Sequence, residues 1–259
     1  MRQLHKAVLS PAAQAPAIPN MWEALTERGI SMRVGEVSMI CGRPSTGKSM
    51  VALNLAYRAQ VPTIYISADS HLATQSIRLL SLITSQPQSE VEEMLVHDKA
   101  EASELLRGTS NIRWNFLSAP TVQQIRELVE AHAEMWGDGP MLLIVDNLTD
   151  VLRDNGDEWG KEFLKDLKFL ARSWNLCALV LHHMSLSRPH PEGTVPPMEA
   201  IQGKTAETPA LILSVTSTEG WLGIGAVKNR YGYMDKDGRT VDWFDYAPER
   251  AFIGEAAER

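Results

Sequence analysis

Two cysteines in 259 residues cannot build a disulfide framework, and both Cys41 and Cys177 sit inside apolar runs that read as buried strands. They are expected to be small core side chains with no bridge between them. No stretch reaches the roughly 18 uninterrupted apolar residues that a membrane span requires. The first twenty residues lack the apolar centre of about 7–15 residues that marks a secretory signal, so a cytoplasmic location is expected. Positive charge is also scarce: 25 Lys and Arg stand against 32 Asp and Glu, a net charge of −7. That argues against a surface coated for nucleic acid. Any contact with DNA has to be local, such as a few cations on the inner face of a ring or filament.

What is present suffices for one large core, since 44% of the residues are hydrophobic and nothing marks a second domain or an internal repeat. Residues 1–19 are rich in Ala and Pro, and Pro11, Pro16 and Pro19 prevent a continuous helix, so this segment reads as an arm or linker. Within it Leu4 to Leu9 could form a short docking helix if a partner buries it. A single domain is expected over 20–259. It opens with a helix capped by Asn20, running through Glu27 and closed by Gly29.

Apolar strands then alternate with amphipathic helices. Strands are expected at Val37 to Cys41, Thr63 to Ser67, Met141 to Val145 and Cys177 to Leu181. Helices are expected at Gly47 to Ala59, Leu72 to Ile83, Glu90 to Leu106, Val122 to Met135 and Gly160 to Trp174. The last carries Leu164, Leu167, Leu170, Ala171 and Trp174 on one stripe. Such alternation with short links implies an α/β fold around a mostly parallel sheet flanked by helices. Ala210 to Val215, Trp221 to Val227 and Thr240 to Tyr246, separated by Gly220 and Asp235-Lys236-Asp237-Gly238, read as antiparallel edge strands at the C-terminal end.

The most informative segment is Gly42-Arg43-Pro44-Ser45-Thr46-Gly47-Lys48-Ser49, a complete G-x-x-x-x-G-K-[ST] phosphate-binding loop placed between a strand and a helix. Its glycines let successive N–H groups face the phosphates, Lys48 adds a mobile charge and the Ser49 hydroxyl is suited to ligate Mg²⁺. ATP and Mg²⁺ are therefore expected. Met141 to Val145 ends in Asp146, the form of a Walker B strand, and a buried strand-end carboxylate needs a partner; a hydrated Mg²⁺ shared with Ser49 would supply it. The plainer reading is an Asp that caps a helix. Asn147 follows Asp146, so no acid stands beside Walker B to activate water. Asp69, which ends the strand after the phosphate-loop helix, is the candidate base because ligands gather at the carboxyl ends of parallel strands. An exposed loop Asp or an N-cap is the alternative.

His182 and His183 close the fourth strand, and adjacent strand residues face opposite ways, which disfavours a shared metal. His183 is the candidate sensor of a γ-phosphate, with a core or loop histidine as the alternative. Lys228 and Arg230, two apart at the end of a tail strand, point the same way and suit phosphate contact; a solvated hairpin is the alternative.

Taken in order, these segments resemble the motor domain of the DnaB family of hexameric replicative helicases, within the RecA-like ATPases, from about Pro19 to Tyr246. Ser67-Ala68-Asp69-Ser70 and Arg78-Leu79-Leu80 occupy the place of the family's Ser-Leu-Glu-Met segment and its following Arg-Leu-Leu. Thr121 to Arg126 is similar to the helix before Walker B, and Lys228-Asn229-Arg230-Tyr231-Gly232 to the Lys-x-Arg hairpin whose arginine finger enters a neighbour's ATP site. The resemblance implies a RecA-like core, ATP hydrolysis with Mg²⁺, a homohexameric ring with composite sites, and translocation on single-stranded DNA. It also places DNA contacts in Asp150 to Gly160 and Met184 to Thr205, with Arg153, Arg188 and Lys204 as phosphate ligands.

Three departures stand out. Asp69 takes the place of a catalytic Glu. His183 takes that of a sensor Gln, in a His pair more like the RepA-type plasmid helicases. The family's separate N-terminal domain has no counterpart in the Ala/Pro arm. A RecA-like recombinase or annealing ATPase, or an ATP-binding accessory or loader protein, remain the alternative functions.

Overall fold

The computed structural model describes residues 15–19, 21–148, 156–184, 190–201 and 203–257, with backbone alone at 156–158, 203 and 204. Nine strands form one sheet: β1 (Val37–Gly42), β2 (Thr63–Ser67), β3 (Ile112–Asn115), β4 (Leu142–Asp146), β5 (Cys177–His183), β6 (Leu211–Thr218), β7 (Trp221–Asn229), β8 (Asp242–Ala247) and β9 (Phe252–Ala256). Their order is β3-β2-β4-β5-β1-β6-β7-β8-β9. The helices are α1 (Glu23–Glu27), α2 (Lys48–Ala59), α3 (Leu72–Thr84), α4 (Gln88–His97), α5 (Lys99–Arg107), α6 (Val122–Trp136) and α7 (Gly156–Trp174). No helix among the described residues is long and apolar enough to cross a membrane.

The sheet separates two apolar layers, and strand alternation assigns each residue to one of them. Ile40, Leu142, Ile144, Leu179 and Leu181 face α1 and α2, which contribute Leu25, Val51 and Leu55, with Trp22 just ahead of α1. Met39, Leu143, Val145, Ala178 and Val180 face α6 and α7, with Ile125, Val129, Leu164, Leu167 and Leu170. Cys41 and Cys177 are free and buried, on opposite faces of the sheet. The end of the arm is fastened to the body: Ile18 N donates to Met32 O at 2.8 Å, and its side chain lies in the core.

Several expectations are corrected. The expected helix from Glu90 to Leu106 is two helices, because Asp98 leaves the helical conformation and its carboxylate accepts from Glu101 N to cap α5. The first tail strand is not an antiparallel edge: β6 pairs parallel with β1, is buried through its first five residues, and only β7, β8 and β9 run antiparallel. β3 and β9 were not foreseen. The first helix begins at Glu23 after Trp22, and Asn20 lies outside the described residues. α7 starts four residues earlier than expected, at Gly156, and β5 continues through both histidines.

Candidate nucleotide site

β1, β2, β4 and β5 deliver their carboxyl ends to one edge of the sheet. β1 ends at Gly42, where an added Cβ would lie 2.6 Å from Thr46 Oγ1 and 2.8 Å from Val215 Cγ2, so no side chain fits. The loop closes by Thr46 Oγ1 donating to Arg43 O at 2.8 Å, and Gly47 takes a φ of +90° that starts α2 at Lys48. Lys48 is only 6% exposed. Its Nζ donates to Gly42 O at 3.2 Å and Arg43 O at 2.8 Å, and lies 3.3 Å from His183 Nδ1. Burial lowers its pKa to about 8, against the opposing pull of Asp146, Cys41 and Asp69.

Asp146 is 4% exposed at the end of β4. Ser49 Oγ donates to its Oδ1 at 3.1 Å and the Tyr65 hydroxyl to its Oδ2 at 2.9 Å. Burial raises its pKa in spite of both hydrogen bonds and the nearby Arg78 charge, and Asp69 raises it further. A hydroxyl and a carboxylate side by side are hard oxygen donors that suit a hydrated divalent cation, and a carboxylate buried with only hydroxyls in contact has charge left to compensate. The residues fit Mg²⁺. Asn147 is buried next to it, across a cis peptide.

A cleft of about 490 Å³ brings Pro44, Ser45, Gly47, Lys48 and Ser49 together with Asp69, Asp146 and His183. Alternation explains the last two: Asp146 continues the Leu142, Ile144 face and His183 the Cys177, Leu179, Leu181 face, both toward α2. His182 turns to the other side and is buried. Asp69 is exposed two residues beyond β2. Three cleft-side groups were missed as site residues. Tyr65 lies under Asp146, and Arg78 of α3 and Tyr246 of β8 line the cleft. A tyrosine inside a buried strand needs a hydroxyl partner, and that was the available signal for Tyr65.

Lys228 and Arg230 lie at the other edge of the sheet. Asn229 pairs with Leu211, and Leu211 with Ser38 near the start of β1, four residues or roughly 13 Å from Gly42 along the strand. Lys228 Nζ donates to Ala206 O at 2.7 Å and Glu207 O at 2.8 Å. Arg230 Nη1 lies 3.7 Å from Glu36 Oε2, with 42% of its side chain exposed. Arg153 and Arg188 lie outside the described residues, as does the side chain of Lys204.

The chain matches the AAA domain family over residues 23–188. It is 33% identical over 253 residues to the gene 65 protein of Mycobacterium phage L5, covering 92% of each chain. With the gene 65 protein of Mycobacterium phage D29 it shares 30% over 240 residues, 85% of this chain and 97% of the relative. Among solved structures, one described as an ATPase domain superposes with a TM-score of 0.79 at 14% identity, covering 97% of this chain and 95% of that one. A DnaB-like replicative helicase, described with its interactions with primase, superposes at 0.77 and 15% identity over 97% of this chain and 66% of that one. The structural matches bear out the DnaB-like resemblance in the fold, a RecA-like core of mostly parallel strands with an antiparallel C-terminal edge. With a family match over residues 23–188 and relatives aligned over nearly its whole length, the chain belongs to the AAA domain family and groups with the gene 65 proteins of mycobacterial phages.

Proposed function

We propose that this chain is an ATP-hydrolysing DnaB-like motor that assembles head to tail into a hexameric ring, translocates on single-stranded DNA and unwinds duplex. The observation that carries this reading is the position of Arg230, partly exposed at the edge of the sheet away from the chain's own phosphate loop. A cation there has no phosphate of its own chain to meet, and a neighbour packed head to tail would present one.

In this reading the loop N–H groups and Lys48 hold the phosphates, and Ser49 and Asp146 hold Mg²⁺. Held there, Mg²⁺ would supply neutralising charge to the phosphates. Asp69 orients a water and takes its proton as the water oxygen attacks the γ-phosphorus and ADP leaves. His183, beside Lys48, contacts the γ-phosphate. Arg230, with Lys228, completes the site of the adjacent subunit. Residues 1–19 serve as an arm ahead of a single motor domain, and Arg153, Arg188 and Lys204 contact DNA phosphates.

Arg230→Ala should bind ATP nearly normally and lose about 10³-fold in hydrolysis, the scale of an arginine finger. Mixed with Lys48→Ala subunits it should regain turnover that neither variant shows alone, with mixed rings verified by mass. Strand displacement on a forked substrate separates a helicase from a recombinase or an accessory protein. Full ATPase activity in a monomer would overturn the ring reading.

A further inference from the structure

Glu36 stands in the turn that leads into β1 and is buried, 7% exposed, yet four groups converge on its carboxylate. Lys168 Nζ lies 2.9 Å from Oε2, the Tyr231 hydroxyl donates to Oε1 at 3.0 Å, and an Arg172 Nη2 lies 3.4 Å from Oε1. The fourth is Arg230, at 3.7 Å. Lys168 and Arg172 sit one turn apart on α7, so the carboxylate is anchored to a helix on one side and to the turn after β7 on the other.

The backbone of that turn is held independently. Arg230 N donates to Ala210 O at 2.8 Å, Tyr231 N donates to Asn229 Oδ1 at 3.0 Å, and Asn229 Nδ2 donates to Gly29 O and Tyr233 O. What remains adjustable at this position is the guanidinium. Its contact with Glu36 is the longest of the four and exceeds hydrogen-bond length, so that attraction is Coulombic, and although one donor also reaches Tyr231 the guanidinium fork keeps other donors available. Three cations around one carboxylate also leave positive charge in excess, which a second copy's triphosphate would complement.

We infer that Glu36 is a positioning residue for Arg230: anchored by Lys168, Arg172 and Tyr231, its carboxylate aims the guanidinium at the triphosphate held by a second copy of this chain. The inference rests on the composite-site reading above. Without the carboxylate, Lys168 and Arg172 repel Arg230, whose long side chain moves off its line.

The test places Glu36→Gln in a subunit that already carries Lys48→Ala, and mixes it with Arg230→Ala subunits. Active interfaces then combine an intact Lys48 site with a neighbour's Arg230, and the Glu36 variant lies on the finger-donating side alone. Recovered turnover should fall roughly 10- to 10²-fold relative to the mixture with Glu36 intact, the cost of a misplaced group, in kcat more than in KM. Glu36→Asp, which keeps the charge, should retain an intermediate level. The same Glu36→Gln change in the Arg230→Ala subunit, whose finger is already gone, should leave recovery in place. Full recovery with Glu36→Gln on the donating side, or equal losses on both sides, would overturn the inference. No recovery even with Glu36 intact would instead overturn the composite site beneath it.

Discussion

At the carboxyl edge of the sheet, Asp146 has two hydroxyls in contact, Ser49 and Tyr65; at the amino edge, Glu36 has Lys168, Arg172, Arg230 and the Tyr231 hydroxyl. Burial is the largest single influence on both carboxyls and raises both pKa values. It prevails at Asp146, whose pKa ends up raised, whereas at Glu36 the partners together outweigh it and the pKa ends up lowered. Lys48 shows the same shortfall as Asp146 with the opposite charge, drawn down to about 8. At the first edge the neighbouring opposite charges, Arg78 for Asp146 and Asp146 with Asp69 for Lys48, do not offset burial, which leaves both groups under-compensated and suits a site that takes up further charge. The second edge compensates its own buried charge, and its surplus is positive.

The comparison can be broken most severely at Lys48. Lys48→Ala should abolish ATP turnover, because backbone N–H groups cannot replace a mobile charge on the phosphates; wild-type ATPase activity in the purified variant would mean that this cleft is not the site. Asp69→Asn should preserve ATP binding while hydrolysis falls roughly 10²-fold, the scale of a positioned base. Unchanged hydrolysis would remove Asp69 from that role.

Stability separates the two edges directly. The lowered pKa of Glu36 means that its contribution is present above its ordinary value near 4.5 and is lost as pH falls through the folded value. Glu36→Gln should therefore cost about 1–3 kcal/mol in thermal or urea unfolding at pH 7. Asp146 has the opposite sign: its raised pKa favours the fold below about 3.8, and that contribution fades as pH rises through the folded value. Asp146→Asn should unfold at or above the wild-type temperature without nucleotide or metal, while losing Mg²⁺-dependent ATP binding. Equal destabilisation by both substitutions would end the distinction. The smallest effect is on affinity, since Lys48 loses its proton above about 8 in the free protein and has to regain it to bind phosphate. The Kd for ATP, measured by titration calorimetry, should rise with pH beyond that point, approaching about tenfold per unit, with proton uptake on binding.

The carboxyl edge was largely legible in the sequence because its chemistry is written locally. The spacing from Gly42 to Ser49 specifies a loop, an apolar run ending in Asp146 specifies a strand end, and period-two alternation puts His183 and His182 on opposite faces. Tyr65, Arg78 and Tyr246 escaped because each comes from a different element and meets the cleft only after the sheet has formed. Glu36 escaped for the same reason in stronger form: a lone Glu before a strand has no pattern, and its partners come from α7 and the turn after β7. In the fold, short edge strands were hardest to see. Ile112–Asn115 has a single strand neighbour and one fully buried residue, so its composition carries little of the apolar signal that announced β1, β4 and β5. The first tail strand was misassigned because a buried run of Leu, Ile and Val reports burial and says nothing of direction.

β1 carries the phosphate loop at one end and the Glu36 turn at the other, so under the proposed composite site each subunit offers half of a site at either terminus of one strand. Such a unit makes assembly countable. An open chain of n subunits completes n − 1 sites, and a closed ring completes all n. Turnover per subunit should then climb with concentration in steps set by chain length and level off when the ring closes, so that a rate measurement alone reports whether the last gap has been sealed.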